Sequence, residues 1–86
     1  MPRYLLAFES THAAMSANKA LASVHPVVIP TPRVLTASCG MSLRFEAEDG
    51  VAAATLAASV QEAHGLHGLA ALYTEEAGEY SLLEKL

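Results

Sequence analysis

Apolar positions along this chain recur with two periods, and the places where the period changes divide it into elements. Tyr4 to Phe8 is a short apolar run rich in strand formers, and it stops at Glu9-Ser10-Thr11, where two hydroxyl residues can cap a helix. Ala14, Ala17, Leu21 and Val24 follow at helical spacing as far as His25-Pro26, where proline ends the helical hydrogen bonding. Val27 to Ile29 reads as a second strand, and Pro30 and Pro32 remove backbone donors and open a loop to about Ser38. Met41, Leu43 and Phe45 alternate with Ser42 and Arg44, the period of a half-buried strand. Glu48-Asp49 supplies acids and a cap for a second helix, with Ala53, Leu56, Val60 and Ala63 as its inner stripe and Gly65 as its stop. LAALY, 69–73, is a fourth strand.

The order βαββαβ predicts an α+β fold, a ferredoxin-like sandwich in which an antiparallel four-stranded sheet carries two helices on one face. Residues 1–74 form the single domain. Residues 75–86 are an acidic C-terminal tail, broken by Gly78, with Leu82, Leu83 and Leu86 placed to dock as a short helix. In this topology strand three lies between strands one and two, and strand four lies beyond strand one. The end of strand one, the loop before strand three and the turn before strand four therefore share one end of the sheet. That brings Ser10, Thr11 and His12 near Cys39, with His64 and His67 close by. Strand two is a short edge through which a second copy could pair to give a homodimer.

With 86 residues, 52% of them apolar and 16% charged, the composition is that of one globular domain. Nine acids against five bases, a formal charge of -4, argue against nucleic acid as a partner. VAAATLAASV, 51–60, is about half of the ~20 apolar residues a membrane span needs, and the apolar run in MPRYLLAF is too short for a signal peptide. The expected compartment is the cytoplasm, where a single cysteine stays a free thiol. There is no glycine-rich phosphate loop, no serine-histidine-acid constellation and no paired carboxylate site. A self-contained enzyme is not expected, and no cofactor is implied.

The chemistry that remains belongs to Cys39. A thiol reacts as its thiolate, and helix N-termini and cations favour that form. From Ser10 to Phe45 the sequence has no acid, whereas Lys19, Arg33 and Arg44 fall in that span. Helix one would begin near Thr11, beside the expected position of Cys39, so its unpaired N–H groups add to the same effect. Gly40 leaves the backbone next to the sulfur uncovered, Pro30 and Pro32 shape the loop, and His12 is a candidate base.

STHAAM at 10–15, IPTPR at 29–33 and SCGMSLRF at 38–45 together resemble the Se/S carrier protein-like family, small bacterial proteins otherwise described as a domain of unknown function. The resemblance spans roughly residues 3–73. It implies transport of sulfur or selenium on a cysteine, here Cys39, as a persulfide or selenosulfide. Ser10, Thr11, Pro30, Thr31, Pro32, Arg33, Ser38 and Gly40 fall in the matching motifs. The implied partners are a donor, such as a cysteine desulfurase or a selenocysteine lyase, and an acceptor protein. Asn18 stands before Lys19 where the family more commonly has an acid.

Plainer readings stand beside these. Cys39 is also what a small buried hydrophobe looks like. Arg33 can be a solvated loop charge, His12 an exposed first-turn residue, and Ser10 and Thr11 helix caps. His64 and His67 form an HxxH pair across a glycine with no carboxylate nearby, which reads as a surface turn. Cys39 joined by His12 and one of these two would make a Cys-His-His zinc set, the second hypothesis for the protein. The third is a regulatory or scaffold module without chemistry, because this architecture hosts many functions.

Overall fold

The computed structural model describes residues 1–8, 11–33, 35, 40–64 and 70–85, with the backbone alone at 63, 64 and 70. Strand β1 (Arg3–Phe8) feeds helix α1 (Thr11–Ala20), and a 3-10 turn at Ala22–Val24 leads to β2 (Val27–Pro30). Then come β3 (Met41–Glu46), helix α2 (Gly50–His64), β4 (Ala70–Glu76) and β5 (Glu79–Lys85). The strands form one sheet in the order β2-β3-β1-β4-β5, and every neighbouring pair is antiparallel. As expected, β3 sits between β1 and β2, and β4 lies on the far side of β1.

Alternation along β1 sends Tyr4, Leu6 and Phe8 to one face of the sheet, where they form the core with Leu43, Phe45 and Leu72. Both helices cover that face. Ala13, Ala14, Ala17 and Leu21 come from α1 and its end, and Ala53, Ala57 and Val60 come from α2. Small alanine side chains let the helices lie close to the sheet, so the alanine-rich composition is spent on packing. Asp49 caps α2 as its sequence position suggests: Ala52 N–H donates to Asp49 Oδ1 at 2.9 Å.

The sheet has five strands where four were expected, because residues 79–85 form a strand and not a docking helix. The turn explains the difference. Ala77 and Gly78 both have positive φ, 52° and 82°, the backbone of a two-residue hairpin turn whose twist suits antiparallel strands. Tyr73 then pairs with Leu82 but Leu72 with Glu84, so Leu83 is the extra residue of a β-bulge. The Leu83 side chain lies against Gly50 at the start of α2. Leu82 and Leu83, assigned to a helix, thus serve one edge of the sheet, and Leu86 lies outside the described residues.

On the helix-free face Leu5 is 0% exposed, although no helix covers it. Arg44 stands opposite Leu5 on β3, and its Nε donates to Glu75 Oε1 on β4 at 2.8 Å. The ion pair therefore spans β1 above Leu5, with Glu75 itself only 8% exposed. Carboxylate and, less strongly, the Tyr80 hydroxyl hold the Arg44 guanidinium above its ordinary pKa against a smaller effect of burial.

Candidate functional site

Four chain segments meet at one end of the sheet. Phe8 pairs with Met41 and with Ala70, and Pro30 pairs with Met41, so the end of β1, the end of β2 and the starts of β3 and β4 lie side by side. Beyond the last β2–β3 pair the chain stays joined for one more step: Thr31 N–H donates to the Gly40 carbonyl at 2.8 Å. That bond joins the two positions that bracket residues 32–39 in the sequence, and Cys39 is covalently attached to Gly40.

Gly40 is a site of close approach. A Cβ there would stand 3.0 Å from the Phe8 carbonyl oxygen and 3.1 Å from Thr31 Oγ1. The sequence suggests that this glycine uncovers the sulfur; the contacts show that it also lets β1 and the Thr31 hydroxyl close on the backbone. Helix α1 starts at Thr11, three residues after Phe8, and its first turn contains no acid. Thr11 and His12 are exposed there.

Pro30 ends β2, and Pro32 accepts a hydrogen bond from Leu35 N–H at 3.0 Å, which makes a turn at 32–35. Arg33 lies in that turn, exposed and without an ion pair to any described residue. Of the three cations in the acid-free span, Arg33 alone stands at this end. Lys19 occupies the last turn of α1, where it suits the carbonyl end of the helix dipole, and Arg44 is committed to Glu75.

Ser10, Ser38, Cys39 and His67 lie outside the described residues, and His64 is placed only by its backbone, at the end of α2. The expected cluster is therefore represented by its supports, Thr11, His12, Thr31, Arg33 and Gly40. Among the described residues no group of three His, Cys, Asp or Glu could hold a metal, and Cys39, on which the expected zinc set depends, lies outside them. No helix among them is long and apolar enough to cross a membrane.

Ser42 is the participant that periodicity did not single out. Its alternation with Met41 and Leu43 predicts a solvent-facing side chain, yet it is 0% exposed, and its hydroxyl shares a 2.6 Å hydrogen bond with Thr31 Oγ1. The partners are eleven residues apart in the chain, a separation that no local period reports. An open cleft of about 560 Å³ lies toward the opposite end, lined by Arg3, His25, Arg44 and Glu46 among others. Its lining mixes both signs of charge, and it is remote from the segment that ends in Cys39.

Two helices on a five-stranded antiparallel sheet, with Thr31 joined to Gly40 at one end of it, define a small α+β domain whose single cysteine is the sequence neighbour of Gly40. The family model described as "Putative Se/S carrier protein-like" matches residues 3–64, and the chain belongs to that family. No curated protein and no solved structure matches it.

Proposed function

We propose that the protein carries sulfur or selenium on Cys39 and delivers it to another protein. The observation that carries this reading is the family match over residues 3–64, which includes the whole loop and both strands that flank it. The closed loop base and the uncommitted charge of Arg33 support it. In this reading the carrier domain, expected at residues 1–74, has the two helices and four strands in the ferredoxin-like βαββαβ order; β4 runs on to Glu76, and β5 is added at its edge.

Loading needs no outside oxidant. The Cys39 thiolate attacks the terminal sulfur of a donor cysteine persulfide; the donor's S–S bond breaks, its cysteine leaves as a thiolate, and Cys39 holds the new persulfide. A thiolate on the acceptor then attacks that terminal sulfur, and Cys39 leaves as a thiolate again. Selenium follows the same route through an S–Se bond. The bound terminal atom is an anion at neutral pH, and Arg33 and the N–H groups that open α1 stabilise it. Ser10 and Thr11 present that helix end, Ser38 and Gly40 flank the sulfur, and His12 takes the thiol proton. The cytoplasm is the compartment in which this thiol stays reduced between cycles.

The test is direct. Protein incubated with a cysteine desulfurase and cysteine, or with a selenocysteine lyase and selenocysteine, should gain the mass of one sulfur or selenium atom, removable by reductant and absent from Cys39→Ser. A folded protein whose Cys39 resists alkylation near pH 7 and gains no mass would rule the carrier out.

A further inference from the structure

We propose that Thr31 and Ser42 form a positioning pair for the Cys39 thiol, an inference that rests on the carrier reading for its purpose but not for its geometry. Thr31 is held at two points. Its N–H reaches the Gly40 carbonyl at 2.8 Å, and its Oγ1 reaches Ser42 Oγ at 2.6 Å, at the short end for a neutral hydroxyl pair. The same Oγ1 fills the space where a Gly40 Cβ would be, with the Phe8 carbonyl on the other side. The residue bonded to Cys39 is thereby fixed by the ends of β1, β2 and β3 together. However the loop runs between 32 and 39, it finishes at an anchored point.

Ser42 is the root of that anchor. Among the described residues it is the fully buried polar side chain, so its hydroxyl has no water to exchange partners with. A buried hydroxyl left unpaired carries its full desolvation penalty, so the Ser42 hydroxyl keeps Thr31 as its partner. The consequence for chemistry is preorganisation. In the carrier reading Arg33 and the α1 N-terminus stabilise the thiolate, and such electrostatic stabilisation falls when the geometry loosens.

A purely structural pair and a positioning pair predict different behaviour in the double variant Thr31→Val/Ser42→Ala. Replacing both partners by apolar groups of like shape is close to neutral for stability, so the variant should keep the wild-type melting curve. A positioning role requires that alkylation of its Cys39 near pH 7 be slower by about threefold or more, with the pH midpoint of the reaction moved upward. Thr31→Ser, which keeps the hydroxyl, should restore the wild-type profile. A folded double variant with the wild-type alkylation profile would overturn the proposal. Should the variant fail to fold, hydrogen exchange on the wild-type protein decides: the Thr31 amide should be as protected as those inside β3, and free exchange at Thr31 sinks the anchor. The two readings fail separately. Persulfide loading with an alkylation profile indifferent to the pair rejects positioning alone, whereas a pair-dependent thiol that takes no sulfur from any donor rejects the carrier alone.

Discussion

At the scale of single residues, two glycines are required for different reasons, and the reasons give different expectations. Gly40 is closed in by the Phe8 carbonyl and Thr31 Oγ1, so Gly40→Ala must push on backbone and should cost about 1–3 kcal/mol. Gly78 has φ +82° and nothing within 4 Å of a new Cβ, so Gly78→Ala meets only the left-handed backbone penalty, about 1 kcal/mol. Urea unfolding of both variants measures the two costs. Alkylation of Cys39 separates them further: it should change in Gly40→Ala and stay at the wild-type rate in Gly78→Ala, whose turn is at the other end of β4. Equal alkylation in the two would mean that Gly40 is a packing residue only. The sequence makes the Cys39-Gly40 pair conspicuous but not this reason for the glycine. The oxygen that excludes a side chain belongs to Phe8, thirty-two residues away in the chain.

At the scale of elements, local periods identified β1 to β4, α1 and α2, because each turns an apolar stripe toward one core and meets a proline or polar stop. They said less about the second face. Alternation assigns Ser42 and Arg44 to the side away from the helices, but it is silent on Thr31 and Glu75, which cover that side from other strands or loops. The C-terminal leucines failed for a related reason: three leucines near an acidic stretch fit a helix as well as a strand, and the positive φ at Ala77-Gly78 decides for the hairpin. The Arg44–Glu75 bridge can be tested as an element clamp. Arg44→Ala strips the cover from Leu5 and leaves a nearly buried carboxylate alone, so it should destabilise by about 1–3 kcal/mol. The sign of its pH dependence follows from Arg44. A base whose pKa is raised on folding contributes fully below its unfolded value, which for arginine lies far above neutrality, and loses that contribution only as pH climbs through the folded one. The gap in melting temperature between wild type and Arg44→Ala should therefore be flat over about pH 6 to 9. A gap that closes within that range would mean another group titrates in the clamp.

At the scale of the whole molecule, charge is unevenly placed, and the distance over which it acts can be set against the size of the sheet. Glu46, Glu48, Asp49, Glu75, Glu76 and Glu79 all lie at the Arg3 end of the sheet, around the starts of β1, α2 and β5. They are most of the nine carboxylates, and the loop that ends in Cys39 closes at the other end. The acid-free span read from the sequence thus becomes the end with fewer acids, with Glu62 and Glu84 as its described exceptions and Glu9, bonded to Phe8, outside the described residues. Across β1 the two ends are roughly 17 Å apart, about twice the screening length of ~8 Å at physiological salt. Neutralising the exposed pair in Glu76→Gln/Glu79→Gln should therefore leave Cys39 alkylation unchanged at about 0.15 M salt, and should speed it at about 0.01 M, where screening reaches ~30 Å and distant carboxylates still oppose a thiolate. Arg33→Ala belongs to the near field and should slow alkylation at both salt concentrations, because it removes the one cation of the span that stands at this end. If the remote glutamines accelerate the thiol at high salt, or Arg33→Ala leaves it unaffected, the thiolate draws its stabilisation from elsewhere in the loop, and the roles given to Arg33 and the acid-poor end fall together.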